Sequence, residues 1–334
     1  MHDKARILVT GATGAVGPSI VEGLSSEGYQ IRTLSLDPPP QGIWPDSVEV
    51  YIGDVTDTYT VRTAMDGIES VVHCAALLHI VNPPLSSRGL YEKVNVEGTA
   101  IVVKAAVEAD VRRVVLFSTI AVYGNSGGRI LTEDSPAHPE TFYAKTKLDA
   151  EKIALDAKQS NGQPLGTVLR MGAIYGARIK GNYRKLLQAL ARGRFVPLGD
   201  GTNRRTLVYE KDVANAVKLA MSHPLAAGQI YNLSDGHFHT MEEIIETMCR
   251  ALERPVPRFA LPIGPVRLIA GIIEDGAKLL GLKSPIVRAM VDTYREDIAV
   301  DSSRIRSALD FIPQYDLDYG WRETVKQMRL MGDL

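Results

Sequence analysis

The first half of the chain alternates two hydrophobic rhythms. Short apolar runs read as buried strands: RILVT (6–10), IRTLSL (31–36), VEVYIGDV (48–55), SVVHCAA (70–76), RRVVLFST (112–119) and GTVLRM (166–171). Between them lie stretches with apolar residues three and four apart: SIVEGLSSEG (19–28), NVEGTAIVVKAAVEAD (95–110) and a segment from about 142 to 159. Strands that alternate with helices predict a parallel sheet with right-handed crossovers.

Beyond Gly172 the texture changes. Glycines, arginines and prolines make 172–206 read as long connections, 206–223 returns to strand then helix, GQIYNLSDG (228–236) reads as a further strand, and 240–334 is mostly helical. The expected fold is α/β, a Rossmann-type doubly wound parallel sheet with a smaller, mostly helical C-terminal lobe. The sheet domain is expected over 1–174 and 206–234, and the substrate-binding lobe over 175–205 and 235–334. In such folds ligands bind at the carboxyl edge of the sheet.

Composition narrows the function. The 334 residues are 45% hydrophobic and 23% charged with a net charge of −1, an ordinary globular balance with no basic footprint for nucleic acid. Cys74 and Cys249 are far apart and fit neither a disulfide framework nor a zinc site. No signal-peptide pattern opens the sequence, so a cytoplasmic location is expected. The apolar stretch Leu261–Leu282 is broken by prolines, glycines and charges and cannot span a bilayer. It either packs within the second lobe, lies on a membrane surface or lines a pocket for a greasy substrate.

VTGATGAVGPSI (9–20) sets Gly11, Gly14 and Gly17 after the first strand and at the mouth of a helix. Glycines there allow a tight turn and close approach to a pyrophosphate, and the helix start offers unpaired N–H donors. At the end of the second strand Asp37 is placed to take a ribose 2′-hydroxyl, which favours NAD over NADP, or else to cap the turn before three prolines. Arg32 lies too early in the strand for a 2′-phosphate. Asp54 follows the third strand, where it either meets the adenine amino group or caps a turn.

Tyr143 and Lys147 are four residues apart on a predicted helix and share a face, while Lys145 points elsewhere. A free phenol titrates near 10, so an adjacent ammonium is expected to lower it. The phenolate then takes a proton from a substrate hydroxyl as hydride leaves the same carbon. The strand 112–119 ends in Ser118 and Thr119, whose hydroxyls can steady the reacting oxygen.

Together TGATGAVG (10–17), HCAA (73–76), NVEGT (95–99), FSTIAVYG (117–124) and YAKTK (143–147) resemble the extended short-chain dehydrogenase/reductase superfamily, in its NAD-dependent epimerase/dehydratase branch, over nearly the whole chain. The resemblance implies a catalytic set of Thr119, Tyr143 and Lys147. It implies that NAD is held by Gly11, Thr13, Gly14, Ala15, Val16, Gly17, Asp37, Asp54, Val55, Ala75, Ala76, Asn95, Ser118, Tyr143 and Lys147. In the family's 4,6-dehydratases the threonine is followed by Asp and Glu, which move the protons of water elimination. Here Ile120 and Ala121 stand there, so hydride exchange is implied and that dehydration is not.

The order GNY…LL…RG…PLG…NRR (181–205) resembles UDP-N-acetylhexosamine 4-epimerases and 4-keto-sugar reductases. It implies that the substrate meets Ser118, Thr119, Tyr143, Asn182 and Arg205, with Arg205 on the diphosphate. The alternative for Arg204 and Arg205 is an ion pair with an acid such as Glu210. Asp212 matches a structural position, and Trp321 is expected to anchor packing. His237 and His239 offer too few ligands for a metal site. The leading expectation is an NDP-sugar 4-epimerase with retained NAD, probed first with UDP-glucose and UDP-N-acetylglucosamine. The alternatives are an NAD(P)H-dependent 4-keto-sugar reductase, a 3β-hydroxysteroid-dehydrogenase-like oxidoreductase and a silent, NADP-sensing regulator. The resemblance also implies a homodimer through helices near 97–109 and 143–158.

Overall fold

A computed structural model describes residues 5–78, 85–178, 180–280, 284 and 287–334. In chain order its first half runs β1 (Arg6–Thr10), α1 (Gly17–Ser26), β2 (Gln30–Ser35), β3 (Glu49–Ile52), α2 (Thr58–Met65), β4 (Ser70–His73), α3 (Arg88–Tyr91), a π-turn (Glu92–Glu97), α4 (Gly98–Glu108) and β5 (Arg113–Thr119). Then come β6 (Ile130–Leu131), α5 (Phe142–Asp156), β7 (Gly166–Met171), β8 (Ala173–Tyr175), α6 (Asn182–Ala191), β9 (Arg204–Arg205), β10 (Leu207–Tyr209), α7 (Glu210–Ser222) and β11 (Ile230–Leu233). The remainder is β12 (His239–Thr240), α8 (Met241–Leu252), α9 (Ile263–Leu279), α10 (Arg288–Arg295), β13 (Ala299–Val300), α11 (Ser303–Leu309) and α12 (Leu317–Leu330).

Seven strands form one parallel sheet in the order β11-β7-β5-β4-β1-β2-β3. The order reverses between β1 and β4, which opens a crevice at their carboxyl ends. Alternation along each strand divides the core. Ile7 and Val9 of β1 and Val115 and Phe117 of β5 face a layer built by α1, α7 and α11. Leu8, Val114 and Leu116 face the opposite layer of α2, α4 and α5. Both faces are covered, which is why the strands read as near-continuous apolar runs.

The second lobe has its own core of Leu187, Leu190, Ile244, Met248, Trp321 and Val325, from α6, α8 and α12. Trp321 is fully buried and stacks on Tyr175 with centroids 4.7 Å apart, a packing anchor. Asp212, also fully buried, takes the amides of Gln314 (2.9 Å) and Tyr315 (3.1 Å) and ties the C-terminal segment to α7. Two elements differ from the sequence reading. The stretch 172–206 contains α6, whose apolar face is hidden in the sequence by the flanking glycines and arginines; Gly181 starts it at φ 82°. In addition, α11 returns to the sheet, burying Ile305 and Leu309 in its core.

Candidate active site

The crevice holds a continuous cavity of about 430 Å³. Gly11, Thr13, Gly14, Ala15, Val16 and Gly17 line its middle, after β1; Ser118, Thr119, Tyr143 and Lys147 line it on the β5 side, past Ala75 and Ala76, and Asp37, Asp54 and Val55 line it on the β2–β3 side. Close backbone approach fixes the glycine turn. Gly11 has φ 67°, and a Cβ there would meet the Ala75 backbone at 2.7 Å. A Cβ on Gly17 would lie 2.1 Å from the Ala12 carbonyl oxygen. The start of α1 follows at once, with no side-chain cap, so its first-turn amides are open to an anion.

The adenosine end carries an acid, and among the described residues that line it there is no cation. Asp37 is exposed on the wall, and Ser35 Oγ accepts from the Thr13 amide at 3.2 Å. Arg32 is buried and committed elsewhere: its guanidinium binds Glu49 (2.7 Å) and the carbonyls of Ala64 and Asp66. Asp54 both lines the cavity and takes the Thr56 amide at 2.8 Å. A cradle of glycines, an open helix start and an acid for a ribose diol fit a dinucleotide of the NAD type.

At the chemical end, α5 carries three residues on one face, Tyr143, Lys147 and Glu151. Lys147 is buried beside His73, Cys74 and Glu151; burial brings its ammonium down to about 8 against the upward pull of Glu151 and Cys74. Lys145 is exposed on another face. The Tyr143 phenol departs from expectation: burial, with a contribution from Tyr91, pushes it up to about 12. Burial therefore keeps the phenol protonated at neutral pH. Tyr91 packs edge-on to it at 6.5 Å and donates to the Leu78 carbonyl (2.8 Å).

Thr119 caps the short 3₁₀ turn Ile120–Tyr123, and its Oγ1 accepts from the Ala121 amide at 3.1 Å. Its own proton remains for a ligand oxygen. Ile120 packs with Val122, Tyr123, Leu131 and Val300 and lies outside the cavity lining. Ser118 donates to Glu151 at 2.5 Å, and Glu151 holds Arg170 through contacts of 2.6, 3.0 and 3.2 Å. The Arg170 guanidinium lies over the Tyr123 ring at 4.7 Å.

Three expected residues are not brought to the cavity. Asn95 is fully buried and staples the β4 loop, accepting from the Leu77 amide (2.7 Å) and donating to the Leu77 carbonyl (3.2 Å) and Thr146 Oγ1 (3.1 Å). Asn182 is exposed at the start of α6. Arg205 contacts Glu296 (3.6 Å) and the Tyr294 carbonyl (3.3 Å), while Arg204 is held bidentately by Asp297. Glu210 is not their partner; it takes the Ala177 amide at 3.0 Å. The sequence reading missed Lys180, Tyr175 and Glu210 on the cavity wall. RIKGNY (178–183) signalled Lys180, in the loop where a glycine and a base adjoin.

His73, fully buried, was missed as a network member. Its Nδ1 lies 2.7 Å from Thr10 Oγ1 and its Nε2 3.1 Å from Thr99 Oγ1. Thr99 donates to the Asn95 carbonyl, so the ring must donate from Nε2 and accept at Nδ1. Cys74 lines the cavity, and burial pushes its thiol up. His239 meets Asp235 (2.7 Å) and Glu243 (3.5 Å) in a second hollow away from the crevice. Among the described residues no three potential ligands are grouped to hold a metal ion.

Known proteins resemble this chain over nearly its whole length. The chain is 30% identical over 331 residues to a UDP-glucose 4-epimerase of Vibrio cholerae, covering 96% of this chain and 94% of that one. It is 28% identical over 329 residues to an N-acetyl-alpha-D-glucosaminyl-diphospho-ditrans,octacis-undecaprenol 4-epimerase of Escherichia coli O157:H7, covering 98% and 95%. The solved structure of MoeE5 in complex with UDP-glucuronic acid and NAD superposes with a TM-score of 0.77 at 25% identity, covering 98% and 99%. The profile of one family matches residues 7–234, the span that builds the sheet and the crevice, and the chain belongs to that family, the NAD dependent epimerase/dehydratase family.

Proposed function

We propose that this protein is an NAD-dependent 4-epimerase of nucleotide-diphosphate hexoses. The observation that carries the reading is that Thr119, Tyr143 and Lys147 line the same cavity as the glycine turn, on its β5 side. The epimerase relatives support it, and the two named above share a hexose joined to a diphosphate as the common part of their substrates.

When bound, NAD supplies a reversible hydride acceptor and a positive charge beside the phenol. Tyr143 accepts the proton of the sugar 4-hydroxyl and later returns it. Burial holds its phenol up at about 12, so loading of the site is part of its activation. Lys147 holds the charge that balances the phenolate, and Glu151 keeps that charge in place. Thr119 donates to the sugar oxygen as it becomes a carbonyl. Ile120 and Ala121 carry no proton, which weighs against 4,6-dehydration. Lys180 is the base on the cavity wall beside the second lobe and is proposed to meet the diphosphate, with Arg205 and Asn182 joining only if the lobe closes.

The test is incubation with UDP-glucose and UDP-N-acetylglucosamine, with products resolved by stereochemistry. Inversion at carbon 4 with no added cofactor is expected. Turnover only of a 4-keto sugar, strictly dependent on added NADPH, would replace the epimerase by a reductase.

A further inference from the structure

Helix α9 is apolar on the wrong side. Ala270 and Gly271 face the protein, while Leu268 (67% exposed), Ile269 (56%), Ile272 (65%) and Leu279 (88%) form a stripe toward solvent. Spacings of three, four and seven put these on one helical face together with Pro265 and Gly276. Phe259 (84%) extends the stripe at one end and Leu280 (74%) at the other. What attaches the helix to the molecule is largely ionic. Arg267 grips Asp292 of α10 at 2.6 and 3.0 Å, and Arg288 of α10 grips Asp275 (2.5 Å) and Glu274 (3.3 Å) of α9. A water-facing helical pair normally does the reverse, burying its aliphatic side and exposing its charges.

The charges around the stripe point to its occupant. From Arg254 to Ile273 the chain has three arginines and no acid. Arg254 and Arg258 are exposed beside Phe259. Cations flanking an aromatic and an aliphatic stripe suit the boundary between anionic headgroups and acyl chains. The hairpin also adjoins the substrate lobe: Leu261 bridges to Leu198, and residues 294–297, at and just past the end of α10, hold Arg204 and Arg205. Among the described residues no helix is long and apolar enough to cross a membrane.

We propose that the outer face of α9, with Arg254, Arg258 and Phe259, docks on an anionic phospholipid bilayer, lying in the plane of its surface. The docking is peripheral and presents the lobe over the crevice to the membrane. It stands apart from the epimerase reading and is tested without it.

The experiment is co-sedimentation of the full chain with phosphatidylcholine vesicles containing roughly 30% phosphatidylglycerol, against pure phosphatidylcholine. About tenfold stronger binding to the anionic vesicles is expected, together with loss of that binding in Leu268→Glu/Ile272→Glu and weakening in Arg254→Gln/Arg258→Gln. All four substituted side chains are exposed on this face or beside it, so NAD retention and the thermal midpoint should match the wild type; a variant that keeps both while losing vesicles isolates the surface. Wild-type protein that stays in the supernatant at every composition overturns the proposal. So does a Leu268→Glu/Ile272→Glu variant that binds vesicles as well as the wild type. A concentration-dependent dimer in sedimentation velocity, lost in that variant and unaccompanied by vesicle binding, would assign the stripe to a second copy of this chain instead.

Discussion

Glu151 lies beneath the chemical end of the site, and removing its charge has a calculable cost. The carboxylate and Arg170 are 2% and 5% exposed at the side chain and meet at 2.6 Å. Glu151→Gln keeps the shape and an oxygen for Ser118 but leaves the guanidinium uncompensated beneath the sheet edge. Breaking one side of a buried pair costs about 3–5 kcal/mol. At roughly 2.1 cal/mol/K of unfolding entropy per residue, that lowers the melting midpoint by about 4–7 °C in this chain. Calorimetry on the purified variant measures it. Replacing both charges, Glu151→Gln/Arg170→Gln, should recover at least half the loss, because the guanidinium is then no longer stranded. The function follows the single change separately. Glu151 holds the Lys147 ammonium up against burial, so without it Lys147 deprotonates at lower pH. The alkaline limb of the rate profile should move down in both variants. A loss below about 1 kcal/mol in the single variant, or a double variant no more stable than the single, would refute the reading of this pair as a buried, mutually compensating charge.

Three further outcomes are expected. Tyr143→Phe should abolish turnover while NAD remains bound, as read by cofactor absorbance on the purified protein; wild-type rates would remove the phenol from the mechanism. Gly11→Ala forces a side chain into a left-handed position against the Ala75 backbone, and should cut NAD affinity while lowering the midpoint in thermal unfolding. His73 is held neutral by burial, down to about 3 against an ordinary value of 6.5. The unfolded chain therefore takes up a proton that the native state refuses, and stability is lost as pH falls from 6.5 toward about 3, by an amount of order 4 kcal/mol. Urea titrations across that range should show the slope, and His73→Asn should flatten it.

Much of this was legible in the sequence because its signals were local. The β1-turn-α1 motif carries its own glycines, and Tyr143 and Lys147 needed only helical spacing to share a face. Strand periodicity gave the layers for the same reason. What escaped depended on distance. The upward shift of the Tyr143 phenol comes from burial against Tyr91, over fifty residues earlier by number, which no local pattern encodes. Asn95 had the right motif but spends its amide on Leu77 and Thr146, across an interface that only the folded chain creates. Arg204 was read beside Glu210 because the two are near in sequence; its acid, Asp297, arrives from the far side of the α9–α10 hairpin. Helix α6 was hidden because glycines and arginines flank its few apolar residues, which find their partners only in α8 and α12.

The 3₁₀ turn after Thr119 bears on how this scaffold can change over evolutionary time. Ile120 is 7% exposed, wedged among Val122, Tyr123, Leu131 and Val300. An aspartate introduced there would sit among hydrocarbon and stay protonated or unfold its surroundings. A descendant that gained a carboxylate at this point would first have to re-pack the β6–β13 corner. A designer grafting an acid at this point should rebuild that corner first.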